Sequence, residues 1–205
     1  MHSEILSKEQ VELLPWIRQF RREFYLVGGT AIAFYLGHRR SVDFDMFKIG
    51  NLNHKKNLER IRATGFEYEV TRRVTEQMNC IINNVKVTFF QYPFEITAKQ
   101  DVEGVFRVPA LLDLAAMKAY ALGRRSKWKD YVDLYFLLKN HFDISQISKR
   151  ASGIFGELFS EKMFRVQLSY FADVDYTEQV DYMIENPPTN EQIQEELIRL
   201  STESI

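Results

Sequence analysis

A short apolar run that stops at two consecutive glycines is the feature that most constrains the fold of this 205-residue chain. Residues 24–27 favour a β-strand, and Gly28-Gly29 ends it. Thr30 then opens a helix-like segment that ends at Gly37. Residues 41–46 follow and alternate polar with apolar side chains, which is the period of a strand. The order strand, glycine turn, helix, strand predicts an α/β unit at the start of the chain.

The rest of the first half predicts a mixed sheet flanked by helices. Ser7 is expected to cap a first helix over 7–22 together with Gln10, and Pro15 is expected to kink it or split it near Leu14. Asn83-Asn84 tolerates the positive φ of a hairpin turn. The remaining predicted elements are a basic amphipathic helix over 52–63 and strands over 67–74, 79–83 and 85–92.

The second half has helical spacing of apolar residues throughout. The pattern of apolar residues changes near residues 100–109. A polar stretch there precedes Pro109, a residue that suits a first helical turn. We expect an α/β (α+β) core over 1–104 and a helical region over 105–205, and the pattern leaves open whether they pack as one unit. The predicted helices cover 111–122, 131–138, 144–155, 164–171 and 190–200.

Charge and cysteine content exclude several classes of protein. The 27 Lys and Arg residues nearly balance 28 Asp and Glu, so overall charge does not drive nucleic-acid binding. Cys80 is the single cysteine, which rules out an internal disulfide and a cysteine zinc site. The chain lacks a signal-peptide pattern at its start and an apolar run of about 20 residues. We therefore expect a cytoplasmic protein with no membrane association.

Two aspartates follow the glycine turn after a gap that holds one helix. Asp43 and Asp45 are two residues apart on a predicted strand. Their carboxylates therefore lie on the same face, and their Cα atoms lie roughly 6.5–7 Å apart. Such a pair holds a hard divalent cation, while glycines before a helix N-terminus admit a phosphate. Each feature alone is common, as a tight turn or a solvated strand face. Their order on adjacent elements favours nucleotide chemistry.

The same residues resemble a known family. Residues 26–31 (LVGGTA) and 37–47 (GHRRSVDFDMF) are similar to the first signature of AbiEii/AbiGii-type nucleotidyltransferase toxins, within the DNA polymerase β-like superfamily. Residues 112–121 (LDLAAMKAYA) and 129–134 (KDYVDL) resemble the second, a helical Lys followed by a basic-Asp-x-x-Asp-Leu stretch. The resemblance implies a minimal nucleotidyltransferase fold with a mixed β-sheet, followed by a helical bundle.

The resemblance also implies the chemistry. It predicts transfer of a nucleoside monophosphate from a nucleoside triphosphate to a hydroxyl of an RNA or protein acceptor, with Mg²⁺ or Mn²⁺ as cofactor. A toxin or abortive-infection role with a cognate antitoxin partner follows from the same likeness. Its implied residues are Gly28, Gly29, Thr30, Ser41 and Lys118 for the nucleotide, Asp43 and Asp45 for the metal, and Asp43, Asp45, Lys118 and Asp130 for catalysis.

One position departs from the superfamily. Many members carry a third carboxylate on a neighbouring strand, and here the strand over 85–90 has Thr88 in its place. Threonine is a poor metal ligand and no general base, so the base stays unassigned; Glu67, Glu69 and Glu95 are possible substitutes. Two alternatives stay open: a catalytically silent nucleotide-binding or interaction module, and a transferase acting on a small cationic acceptor such as an aminoglycoside in an acidic pocket formed by Glu67, Glu69 or the Asp130/Asp133 pair.

Two basic stretches have two interpretations each. His38-Arg39-Arg40 either contacts a phosphate or forms a solvated connector. The second stretch either binds an acceptor end through phosphate contacts and stacking or anchors a helix corner. It comprises Arg124, Arg125, Lys127 and Lys129 around Trp128.

Overall fold

The computed structural model describes residues 1–203 and divides into two units, 1–110 and the residues from Leu111 onward. The first unit contains a five-stranded sheet in the order β1-β2-β5-β4-β3. Only β2 and β5 pair in parallel, so the predicted mixed sheet is confirmed. The strands are β1 (Tyr25–Val27), β2 (Asp43–Lys48), β3 (Tyr68–Val74), β4 (Gln77–Ile82) and β5 (Val85–Gln91).

Three helices accompany this sheet: α1 (Lys8–Ile17), α2 (Gly28–Leu36) and α3 (His54–Arg62). The capping box between Ser7 and Gln10 is confirmed, but the expected break near Leu14 is wrong. Helix α1 runs through Pro15 and continues as a 3₁₀ turn over 18–20. Proline removes the donor for the carbonyl of Val11. Val11 is 50% exposed, so its carbonyl is on the side of the helix where water can take the place of that donor.

Aromatic side chains form the core between the helices and one face of the sheet. Phe20 and Phe24 contact Phe89 of β5 at ring-centroid distances of 5.0 and 5.3 Å, and Trp16 adds an edge-on contact to Phe20. Cys80 of β4 is buried on this face, as expected for a small apolar side chain. Asn83 and Asn84 have φ values of 49° and 62°, which confirms the hairpin turn between β4 and β5.

A small hairpin that the sequence pattern missed closes the first unit. It consists of β6 (Gln100–Val102) and β7 (Phe106–Val108). Phe106 packs against Phe34 and Phe44 at 5.9 and 5.4 Å, so the hairpin belongs to the first unit. The division therefore falls after Ala110, whereas a boundary at 104 would cut the hairpin. Strands of three residues are too short to show a period of two.

The second unit is helical, as predicted. Two of its helices begin with capping boxes, formed by Asp143 with Gln146 and by Thr189 with Gln192. No helix within residues 1–203 is long and apolar enough to cross a bilayer. The helices are α4 (Leu111–Leu122), α5 (Trp128–Asn140), α6 (Ile144–Phe155), α7 (Glu161–Leu168) and α8 (Asn190–Thr202).

Candidate active site

The glycine turn lies directly against the second aspartate. Strand β1 ends at Val27, which pairs with Asp45, and α2 begins at Gly28 with a φ of 73°. A Cβ on Gly28 would collide with the Asp45 carboxylate, whose Cγ would lie 3.2 Å from it. Only glycine fits, because both the left-handed backbone and the close approach exclude a side chain. The start of α2 and the Asp45 carboxylate therefore occupy one site.

A buried arginine supports the same turn. The guanidinium of Arg39 occupies the place that a Cβ on Gly29 would take, and Ser41 Oγ lies 3.2 Å from that place. Arg39 and His38 are 2% and 1% exposed, and Arg40 donates to the Leu6 carbonyl at 3.1 Å. The interpretation of this stretch as a solvated connector is wrong. A buried cation behind the glycine turn is a feature that the residue pattern indicates only weakly.

Thr30 and Ser41 join the helix to the aspartate strand. The Thr30 hydroxyl is hydrogen-bonded to the Ser41 hydroxyl at 2.9 Å and to the main-chain carbonyl of Asp43. Both residues are buried, at 2% and 8% exposure. These bonds fix the N-terminal end of α2 relative to Asp43. The hydroxyls thus already have partners inside the protein.

Asp43 and Asp45 lie on one face of β2. The register pairs them with Lys86 and Thr88 of β5, and Phe44 between them points into the core at 0% exposure. Both aspartates are half-buried. Two carboxylates at this spacing are hard oxygen ligands that fit Mg²⁺, which usually takes one or two protein carboxylates and completes its shell with water and substrate phosphates. The donor set therefore fits the predicted metal.

Thr88 stands beside Asp45 on the neighbouring strand, where the third carboxylate of the superfamily was expected. It is 8% exposed. Glu69 lies on β3, three strands from β2 in the sheet order, and Glu67 and Glu95 are exposed. Among the described residues no three His, Cys, Asp or Glu side chains cluster as a metal site. The site thus has two carboxylates.

The second signature forms a buried ionic network within the helical unit. Lys118 of α4 places Nζ 2.7 Å from Asp130 Oδ1 and 2.9 Å from Asp133 Oδ2, both on α5. Arg125 adds two bonds to Asp130, at 2.7 and 3.1 Å. Lys118 is 5% exposed, so it is no surface lysine. These contacts join two cations to two carboxylates.

The charge state of the network follows from these contacts. Burial by itself raises the pKa of Asp130, but Lys118 and Arg125 outweigh it and hold that pKa below its ordinary value. Asp130 is therefore ionised at neutral pH. Asp130 and Asp133 both form ion pairs with Lys118. They therefore offer no acidic pocket for a small cationic acceptor.

Comparison with known proteins identifies the family of this chain. A family model described as the nucleotidyl transferase AbiEii toxin of type IV toxin–antitoxin systems matches residues 16–199. An uncharacterized protein of Aquifex aeolicus strain VF5 is 30% identical over 155 residues, which cover 70% of this chain and 73% of that protein. The chain belongs to the AbiEii nucleotidyltransferase toxin family. It is a nucleotidyltransferase, as the two signatures predict.

Solved structures share the fold of this AbiEii-family chain. The nucleotidyltransferase toxin MenT4 of Mycobacterium tuberculosis H37Rv superimposes with a TM-score of 0.60 at 17% identity, covering 94% of this chain and 80% of MenT4. JHP933 of Helicobacter pylori gives 0.55 at 17% identity, covering 96% of this chain and 91% of JHP933. These likenesses confirm the predicted nucleotidyltransferase fold.

We expect Gly28→Ala to lower the free energy of unfolding of this AbiEii-family protein and to weaken its nucleotide binding. A left-handed non-glycine residue costs about 1–2 kcal/mol, and the new methyl would displace the Asp45 carboxylate. Urea unfolding measures the first effect and nucleotide binding the second. Gly50→Ala is the matched control, because Gly50 has a φ of 80° but nothing within 4 Å of its Cβ position. If both variants bind nucleotide equally well, the contact between Gly28 and Asp45 has no functional importance.

Proposed function

We propose that the protein transfers a nucleoside monophosphate from a nucleoside triphosphate to a hydroxyl group of an RNA or protein acceptor and releases pyrophosphate. One observation carries the proposal: the helix start at Gly28 and the Asp45 carboxylate occupy the same site. Family membership supports a nucleoside triphosphate as substrate.

The beginning of α2 is the proposed triphosphate site. The first main-chain N–H groups of a helix have no acceptor inside the helix, and the helix dipole favours an anion there. The lack of side chains at Gly28 and Gly29 lets phosphate oxygens approach these groups. The Arg39 guanidinium behind Gly29 adds positive charge to the turn. Thr30 and Ser41 hold the turn in place through their mutual hydrogen bond.

Asp43 and Asp45 are the proposed ligands of Mg²⁺ or Mn²⁺. When bound, the cation neutralises phosphate charge and lowers the pKa of the acceptor hydroxyl. The acceptor oxygen then forms a bond to the α-phosphorus while the bond from that phosphorus to the bridging oxygen of pyrophosphate breaks. Thr88 accepts no proton at neutral pH, so we assign the hydroxyl proton to bulk water.

Lys118 and Asp130 remain proposed catalytic residues on the strength of the second signature. Their network supplies a protonated lysine that two carboxylates hold in one position. A fixed cation suits stabilisation of charge that develops on pyrophosphate. A cognate antitoxin is the proposed protein partner, because the family model describes toxins of type IV toxin–antitoxin systems.

Isothermal titration of the purified protein with ATP, GTP, CTP and UTP, with and without Mg²⁺, tests the proposal. We expect Mg²⁺-dependent binding of at least one nucleotide, and transfer of its α-³²P label to an acceptor in cell lysate with release of pyrophosphate. The absence of nucleotide binding would contradict the proposal and favour an interaction module. Nucleotide binding without release of pyrophosphate in the presence of any acceptor would indicate a silent nucleotide-binding module. Thr88 in place of a carboxylate is the structural reason to consider this alternative.

A further inference from the structure

Helix α7 carries apolar side chains on two separate faces. Phe164 and Leu168 are 1% and 0% exposed and pack α7 into the helical unit. Met163 and Val166 lie on the other side of the helix at 53% and 50% exposure, and Tyr170, two residues past its end, is 53% exposed. Residues three or four apart share a helical face, so these three side chains form one row. A row of large, half-exposed apolar side chains is typical of a protein interaction surface.

A groove of about 220 Å³ lies beside this row, between α7 and the end of α4. Its walls include Tyr120 of α4 and the rings of Phe159 and Phe164, whose centroids lie 5.9 Å apart. Leu158 and Met163 also line the groove and are 60% and 53% exposed, so they form its rim. The row, this rim and the groove are here called the α7 patch. The patch therefore has protruding apolar side chains directly beside an apolar hollow.

The basic stretch around Trp128 contributes one charge to the α7 patch. Trp128 itself is 4% exposed, so no base can stack on it and it anchors the helix corner. Lys127 and Lys129 are ion-paired with an acidic residue of the same unit, and Arg125 belongs to the buried network. Arg124 lines the groove instead. The contacts of the other three cations therefore leave Arg124 as the charge of this stretch that faces a different surface.

Arg124 and Glu157 give the groove a charge of each sign. Both residues line it and both are exposed. Among residues 1–203 neither side chain forms an ion pair. The Arg124 guanidinium lies 3.6 Å from the centroid of the Tyr120 ring, which stacks on Phe155 at 3.9 Å. A guanidinium held over a ring keeps its in-plane N–H groups for a carboxylate, and it loses little freedom when it binds one.

These features make the α7 patch complementary to a second copy of itself. A two-fold axis places the same patch on both sides of an interface, so each feature must find its counterpart elsewhere in that patch. Here Leu158 and Met163 of one copy can enter the groove of the other, and the charges at the groove can pair in both directions. A partner surface of one charge sign would leave either Arg124 or Glu157 opposite a like charge.

We propose that two copies of the protein associate through the α7 patch about a two-fold axis. The rim of each copy occupies the groove of the other, and Arg124 of each copy pairs with Glu157 of the other. The row from Met163 to Tyr170 spans about 10 Å of helix, whereas a stable interface buries about 800 Å² on each side. We therefore expect a dissociation constant in the micromolar range. No residue of the proposed nucleotide site takes part, so the inference is independent of the proposed function.

Sedimentation velocity of the full chain at concentrations from about 1 to 300 µM tests the association. We expect the average mass to rise from that of a monomer towards that of a dimer. Val166→Glu is expected to weaken the dimer at least about 100-fold, because it buries an unpaired carboxylate in both halves of the interface. Val11→Glu is the matched control. Val11 is also a valine on a helix at 50% exposure, but it lies on α1, so we expect this variant to associate like the wild type.

An exchange of charges tests the two-fold arrangement. Arg124→Glu and Glu157→Arg each place like charges opposite each other twice in a dimer, so we expect each variant alone to stay monomeric over the same concentrations. An equimolar mixture of the two variants is expected to dimerise, because a mixed pair restores both contacts between opposite charges. A role of either side chain within one copy cannot produce this recovery.

Three results would overturn the inference. The first is a wild-type protein that is monomeric at every concentration. The second is a dimer that Val166→Glu leaves intact or that Val11→Glu weakens equally, because the interface would then lie elsewhere. The third is a mixture of the two charge variants that stays monomeric although the wild type dimerises. Circular dichroism of each variant shows that the fold is intact in these comparisons.

Discussion

Asp45→Asn is expected to lower the rate of nucleotidyl transfer about a thousandfold, since loss of one metal carboxylate removes several kcal/mol of transition-state stabilisation. Asn preserves the shape of the side chain beside Gly28 and removes only its charge. We expect the same loss for Asp43→Asn. Initial rates of pyrophosphate release at saturating nucleotide measure the effect, and the melting temperature shows whether the fold is intact.

Glu69→Gln is the control for this loss. Glu69 lies on β3, on the same face of the sheet as the two aspartates, and it was one of the possible substitutes for the missing third carboxylate. We expect near wild-type rates from it. A fold-intact Asp45→Asn variant that retains more than about a tenth of the wild-type rate would contradict the two-carboxylate site. If expression of the wild-type chain arrests bacterial growth through nucleotidyl transfer, the Asp45→Asn variant will not arrest growth.

The second large effect concerns the buried network of the helical unit. Lys118→Met is expected to lower the free energy of unfolding by about 3–5 kcal/mol, because it leaves Asp130 and Asp133 as buried carboxylates with one cation fewer. Urea denaturation followed by circular dichroism measures the loss. We expect this variant to be less stable than the wild type even though the Met side chain matches the Lys side chain in length.

A double variant separates stability from catalysis. Lys118→Met combined with Asp133→Asn removes one charge of each sign, so we expect it to regain most of the lost stability. If Lys118 also acts in the reaction, this folded double variant will stay inactive, whereas Asp133→Asn alone will retain activity. Full activity of the double variant would restrict Lys118 to a structural role.

The arrangement of the candidate site in the first unit could be predicted from the sequence because its residues are close along the chain. Two glycines, one helix and one strand bring Gly28 and Asp45 together, and strand alternation alone puts Asp43 and Asp45 on one face. The position of Thr88 was also predictable, since a strand of fitting length was evident at 85–90. Local pattern and backbone geometry determine all of these features.

Features that depend on contacts between residues far apart in the chain could not be predicted from the local sequence. Arg39 appeared as a basic connector, and only packing against Gly29 shows that it is buried. Strand β3 has a β-bulge at Thr71, where its register against β4 shifts between Val70 and Arg72, and the sequence of one strand does not reveal its register against another. The hairpin of β6 and β7 depends on the contact of Phe106 with Phe44, more than fifty residues away in the chain. Helix α1 continues through Pro15, and the exposure of that turn of the helix is evident only from the folded structure.

The bulged strand β3 has a further consequence for the protein at high concentration. An edge strand exposes unpaired main-chain groups that can recruit a strand from another molecule, which is a common start of aggregation. Here the irregular backbone at Thr71 and the neighbouring positive charges of Arg72 and Arg73 obstruct such pairing. The opposite edge, β1, is only three residues long and contacts β7. We therefore expect the β3 edge to resist strand pairing between separate molecules at high protein concentration.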